Sequence, residues 1–195
     1  TLVDLDEGMT KMVKTNTILS DFNANSLNDP KVAVFNKDAY IWAKNCREKF
    51  DVVIIDFPDP SNYSLGKLYS LNFYATIQKL LNQDAVVVIQ TTSPYFAPKS
   101  FWCINKTVMQ VFPQIDAYHA YVPSFGEWGF TIAINGFGTT FNTVNRKVDA
   151  LRFYNYQFDK FNYFSQDMIS KDIEINRLDN QILVRYFDEE WGKLQ

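Results

Sequence analysis

Two carboxylates three residues apart, Asp56 and Asp59, follow an apolar run over 52–55 in the segment Asp56-Phe57-Pro58-Asp59-Pro60. Each proline fixes its own φ, so the segment is stiff. Carboxylates held close raise one another's pKa, and a primary ammonium brought between them is bound by charge and can lose its proton to one of them. The chemistry would be that of an amine made nucleophilic. The same residues also suit a plain loop with two turn-forming aspartates. A position at the ligand-binding edge of a sheet favours the first reading.

Other residues repeat this ambiguity. Asp4, in Leu2-Val3-Asp4-Leu5-Asp6, ends an apolar strand pattern. A carboxylate there can accept hydrogen bonds from both hydroxyls of a ribose; equally, it is a solvated strand end while Asp6 caps the helix beginning near Glu7. Asp38, followed by Ala39, is an acceptor suited to the exocyclic amine of a base, or another helix N-cap. Rings at Tyr69, Tyr74, Tyr95, Phe96, Phe125 and Trp128 fall near the same loops and could flank an adenine or an alkyl amine, although core packing is the commoner use of any single ring. His119 is the one histidine, lies in a strand, and reads as structural.

The elements that must position these groups alternate. A strand over 2–5 is followed by Met9, Met12 and Val13 at helical spacing, a strand over 31–35 by a helix over 39–50, and a strand over 51–57 by a polar loop over 58–66. The run 52–55 is apolar on both faces, as in the middle of a parallel sheet. Phe73, Ile77, Leu80 and Leu81 share a helix face, then a strand spans 85–90; Phe101, Ile104, Val108 and Phe112 share the next helix face. Strands over 117–122 and 129–134, joined by 123–128, read as an antiparallel hairpin. From 137 onward the pattern is less regular, and the Tyr- and Phe-rich stretch 153–164 reads as packing. This order predicts a single α/β domain over 1–195, a Rossmann-like, doubly wound, mostly parallel sheet with helices on both faces and a C-terminal antiparallel hairpin. Ligands of such sheets bind beyond the carboxyl ends of the strands, here Asp4 and Asp6, Asp38, Asp56 to Asp59, and Gln90 to Ser93.

Composition narrows the partners. Of 195 residues, 47% are apolar and 16% aromatic, enough for a sizeable core, and the seven Gly and seven Pro do not make a linker-rich chain. A net charge of -3, with no basic stripe, argues against nucleic acid and suits a cationic substrate. Cys46 and Cys103, both in helical patterns, read as two buried thiols, and the residue set does not suggest zinc. No apolar run approaches the about 20 residues of a membrane span, and no signal peptide is visible. The abrupt strand pattern at Thr1 suggests a chain whose beginning lies elsewhere, such as a truncated domain of a longer membrane protein.

The segments Leu2-Val3-Asp4-Leu5-Asp6, Lys37-Asp38-Ala39 and Asp56-Phe57-Pro58-Asp59-Pro60, with Leu68-Tyr69-Ser70 and Phe73-Tyr74, resemble the spermidine synthase family of polyamine aminopropyltransferases. So do Gln90-Thr91-Thr92-Ser93-Pro94 and Pro123-Ser124-Phe125-Gly126-Glu127-Trp128-Gly129-Phe130. Asn176-Arg177-Leu178-Asp179-Asn180-Gln181 and Tyr186-Phe187-Asp188 resemble its membrane-fused branch most. The resemblance implies the fold of S-adenosylmethionine-dependent methyltransferases and transfer of an aminopropyl group from decarboxylated S-adenosylmethionine, as co-substrate, to putrescine or a similar amine, without a metal. By position, Asp4 would hold the ribose hydroxyls, and Asp38 with Ala39 the adenine. Asp56 would be the general base, with Asp59 steadying the ammonium groups. Tyr74, Gln90, Phe125 and Trp128 would line the amine pocket.

The resemblance further implies a small-molecule polyamine partner, no nucleic acid, a homo-oligomer as one option, and a cytoplasmic location, alone or as the cytoplasmic domain of a membrane protein. Three features depart from the family: the first strand with its Gly-rich turn is missing, Asp4 stands where many members have glutamate, and Phe125 where they commonly have tyrosine. Two other readings stay open. One is another S-adenosylmethionine-dependent transferase, which does not need the second carboxylate; the other is a noncatalytic domain binding nucleotide, polyamine or a partner protein.

Overall fold

The computed structural model describes residues 1–138, 164–170 and 172–192. The chain divides into two compact units, Thr1–Arg47 and Glu48–Gln195.

The first unit contains β1 (Leu2–Asp4), α1 (Glu7–Thr15), α2 (Thr17–Phe22), β2 (Val34–Asn36) and α3 (Ala39–Asn45). β1 and β2 pair in parallel, with Asp4 opposite Asn36. Helix starts are set by side chains that satisfy the free N–H groups of the first turn. Asp6 accepts from Met9 N at 3.0 Å, Asn16 from Leu19 N at 3.2 Å, and Asp38 from Tyr40 N at 2.8 Å and Ile41 N at 3.1 Å. α3 stops at Asn45, five residues before the sequence pattern predicts, because Cys46 turns extended with φ −67° and ψ 140°. Cys46 is therefore a half-buried cap residue and not a buried helix thiol; Cys103 is buried as expected, and both are free.

The second unit contains β3 (Phe50–Ile55), α4 (Tyr63–Gly66), α5 (Leu71–Gln78), β4 (Leu81–Gln90), α6 (Pro98–Met109), β5 (Gln114–Val122), β6 (Gly126–Ile134) and α7 (Ile182–Trp191). The sheet order is β3-β4-β6-β5, parallel between β3 and β4 and antiparallel across β4, β6 and β5. The architecture is α/β with a mixed sheet. One sheet face is core: Val87, Ile89 and Ala133 have no exposure, and neither do Phe101, Ile104 and Val108 on α6. The other face runs through Ile54, Val88 and Ile132, and through Gln90, Phe130 and Tyr118, each set in register.

β3 differs from the sequence expectation. Val52 and Ile54 are 61% and 74% exposed. Among the described residues β3 pairs with β4 only, which makes it an edge strand of this sheet. The hairpin is also longer than predicted, since the strands extend to Gln114–Val122 and Gly126–Ile134 and only 123–125 connect them.

Candidate active site

β3 and β4 are parallel neighbours, so Asp56, one residue past β3, and Gln90, the last residue of β4, emerge at the same sheet edge. Asp59 is half-buried and Asp56 exposed. Gln90 Nε2 donates to Asp59 Oδ1 at 3.2 Å and to Phe57 O at 3.1 Å, while Gln90 Oε1 accepts from Thr92 N at 2.7 Å. Tyr69, with no exposure, donates its hydroxyl to Phe57 O and Pro58 O, both at 3.1 Å. The acid segment is thus gripped from two sides. Burial raises the pKa of Asp59, and the Gln90 and Thr92 side chains partly oppose that rise. The cause is desolvation, where the sequence suggested repulsion by Asp56. Burial, and then the nearby charges of Asp59 and Asp56, push the Tyr69 phenol far above its ordinary value, so it remains a hydrogen-bond donor.

These groups open on a cavity of about 570 Å³. Asp56, Asp59 and Gln90 supply its polar side; Ile54, Phe125 and Trp128 belong to its apolar side. The rings come from the β5–β6 hairpin, where Phe125 N donates to Val122 O at 2.9 Å and Gly126 takes φ +77°. A three-residue turn closed by a left-handed residue needs glycine there. Phe125, 60% exposed, and Trp128, 8% exposed, lie 5.0 Å apart between ring centroids. Such a cavity is acidic at one side and hydrocarbon-compatible on the other, which suits an alkyl ammonium.

Tyr74 is not part of this lining. It is wholly buried on α5, and its hydroxyl has no hydrogen-bond partner among the described residues. Tyr95 packs edge-on against His119 and Phe96 against Trp191, also outside the lining. Sequence reasoning missed the wall formed by Val88, Val122 and Phe130. Alternation along β4, β5 and β6 carries that signal, because these residues share a face with Gln90 and Trp128. It also missed the role of Asn176, whose Nδ2 donates to Gly66 O at 3.0 Å and whose carbonyl accepts from Leu71 N at 2.9 Å, fixing the segment between the acids and α5.

In the first unit, Asp4 ends β1, and its Oδ1 accepts from Asp6 N at 2.7 Å. Asp38 caps α3, of which Ala39 is the first residue. Asp6 and Asp38 are thus both helix caps, and for Asp38 the cap bonds fall on Oδ1. Among the described residues no cluster of three or more His, Cys, Asp or Glu side chains could hold a metal ion, and no helix is long and apolar enough to cross a membrane. Part of the aromatic stretch, 153–163, lies outside the described residues.

Comparison with known proteins points the same way. The chain is 46% identical over 198 residues to a polyamine aminopropyltransferase of Leptospira interrogans, covering 100% of this chain and 39% of that protein. It is 45% identical over 196 residues to polyamine aminopropyltransferase 2 of Ralstonia nicotianae, covering 98% and 38%. The chain thus spans about two fifths of the length of these curated relatives. A crystal structure of spermidine synthase from Thermotoga maritima shares the fold, with a TM-score of 0.60 at 17% identity over 98% of this chain and 60% of that one. A spermidine synthase in complex with the transition state analogue AdoDATO gives 0.61 at 18%, with the same coverage. The spermine/spermidine synthase domain matches residues 1–147, and the chain belongs to that family.

Proposed function

We propose that the protein is a polyamine aminopropyltransferase, moving the aminopropyl group of decarboxylated S-adenosylmethionine to putrescine or a similar amine, with 1–195 acting as its catalytic domain. The observation that carries this is the pair Asp56 and Asp59 lining an otherwise largely apolar cavity. The names of the relatives and the analogue bound to a structural neighbour support it.

An amine attacks only when unprotonated, whereas a sulfonium is already a good leaving group. The protein must therefore orient two substrates, exclude water and accept one proton. In this reading Asp56, exposed in the cavity lining, takes the proton from the ammonium. The nitrogen lone pair then attacks the aminopropyl carbon next to sulfur, and the carbon–sulfur bond breaks with its electrons returning to sulfur. Neutral methylthioadenosine leaves, and the positive charge passes to the new secondary ammonium. Asp59, oriented by Gln90, holds ammonium charge, while Phe125 and Trp128 pack against the alkyl chain. Asp4 takes the ribose hydroxyls, and Asp38 with Ala39 the adenine. An integral membrane or cytoplasmic setting and a homo-oligomer both fit the family resemblance.

The test is Asp56→Asn, which keeps shape and removes the proton acceptor. Turnover, followed as methylthioadenosine and spermidine by mass spectrometry, is expected to fall by about 10²- to 10⁴-fold, with methylthioadenosine binding retained. An unchanged rate removes Asp56 from the mechanism. Methyl transfer from S-adenosylmethionine in place of aminopropyl transfer would overturn the assignment.

A further inference from the structure

Glu127 and Trp128 are neighbours on β6 and so point to opposite faces of the sheet. Trp128 lines the cavity. Glu127 lies on the far side, where its Oε2 is 2.8 Å from Nδ1 of His119 on β5. The residue directly opposite His119 is Gly129, which has no side chain, so the imidazole reaches its diagonal neighbour instead. His119 is nearly enclosed, with Tyr95 edge-on at 5.5 Å and Phe164 at 5.2 Å between centroids. The Glu127 carbonyl is held separately by Ser93 Oγ, which donates at 2.8 Å and accepts the N–H groups of Tyr95 and Phe96 at 3.4 Å. Glu127 is thus gripped through its main chain by the loop after β4 and through its side chain by β5, between Phe125 and Trp128.

We propose that the His119–Glu127 pair is a positioning device for the acceptor side of the cavity: it fixes the hairpin tip so that Phe125 and Trp128 form the wall against which the alkyl chain of the amine packs. This rests on the aminopropyltransferase reading. The pair touches no substrate, since it faces away from Gln90 and Phe130, and it acts only through the tip it holds. Its loss therefore weakens amine binding and leaves donor binding and the chemical step in place.

The experiment compares Glu127→Ala with Glu127→Gln in the intact protein; glutamine can still accept from Nδ1–H. Glu127→Ala is expected to raise KM for putrescine about fivefold, as for one net hydrogen bond open to solvent on one side. Turnover at saturation should stay within about twofold, methylthioadenosine affinity should be unchanged, and Glu127→Gln should restore the wild-type KM. Hydrogen exchange at the amides of 125–128 should accelerate about fivefold in Glu127→Ala, with β4 unaffected. Unchanged exchange at 125–128, or a fall in kcat with KM unaltered, overturns the proposal. Absence of aminopropyl transfer by the wild type overturns only the functional reading, because the exchange measurement needs no substrate and still decides whether the pair holds the tip.

Discussion

Tyr69 and Tyr74 lie five residues apart, both without solvent exposure, yet removing their hydroxyls should have opposite consequences. Tyr69 donates to the carbonyls of Phe57 and Pro58. In Tyr69→Phe, Phe57 O keeps its bond from Gln90 Nε2, and Pro58 is exposed, so water can replace the lost donor. The cost is therefore that of one net hydrogen bond, about 1 kcal/mol, and not the larger cost of a stranded buried acceptor. For a chain of this size that is a Tm lower by about 2–4 °C. Tyr74 has no partner for its hydroxyl among the described residues, so the folded state already bears the desolvation of that group. Tyr74→Phe removes it and should stabilise by about 1 kcal/mol. Thermal melts of both variants without ligand, in one buffer, make the comparison. Shifts of the same sign and size would refute the claim that Tyr69 secures the acid segment by its hydroxyl. Amine kinetics add a second reading: loosening the Asp56–Asp59 segment should lower kcat/KM in Tyr69→Phe more than in Tyr74→Phe.

Two further outcomes follow from the same packing. Asp59→Asn should raise the Tm at neutral pH while reducing turnover. A carboxyl whose folded pKa is raised binds its proton more tightly folded than unfolded, so stability falls as pH climbs from the ordinary aspartate value through the folded one, and the asparagine variant should lose that decline. Gly129→Ala should destabilise more than Gly126→Ala, by melts of both: a Cβ at Gly129 would lie 2.7 Å from Thr92 O and nearer still to the Phe101 ring, an overpacking cost of about 1–3 kcal/mol, whereas Gly126 has open space and only its φ of +77° to protect, about 1–2 kcal/mol. Equal losses would show that the close approach at Gly129 costs no more than the backbone hand at Gly126.

The sequence is most legible where one residue decides a local structure. Asp6 and Asp38 announce helix starts through their own side chains, and Phe101, Ile104 and Val108 announce a buried face by spacing alone. The acid segment could be found because it follows a strand. Its electrostatics could not, since the rise in the Asp59 pKa comes from burial that only the packed structure defines. β3 misled for a related reason: an apolar run says that a strand can be buried on both faces, and what packs over each face decides whether it is. α7 went unread beside the irregular stretch before it, although Ile182, Leu183 and Val184 are its buried residues. Tyr74 shows the converse limit, because motif position suggested a pocket residue and the side chain went to the core.

Thr92 explains why the polar side of the cavity has one arrangement. It is β-branched and has φ +63°, a conformation that costs such a residue of order 1–3 kcal/mol and persists only where its surroundings enforce it. Those surroundings are specific. Thr92 N donates to Gln90 Oε1, Gly129 N donates to Thr92 O at 2.8 Å, and Thr91 N donates to Gly129 O at 3.0 Å. Because the Thr92 N–H can only donate, the Gln90 oxygen must face it, and the Gln90 NH₂ must then face Phe57 O and Asp59. Asp59 accepts from glutamine on Oδ1, beside the Thr92 side chain that also opposes its pKa rise, and a carboxylate has further lone pairs with which to meet an ammonium. The strained residue therefore sets the direction of a hydrogen-bond chain that ends on a carboxylate, and the close approach of Gly129 that permits the strain belongs to the same strand that carries Trp128 into the cavity.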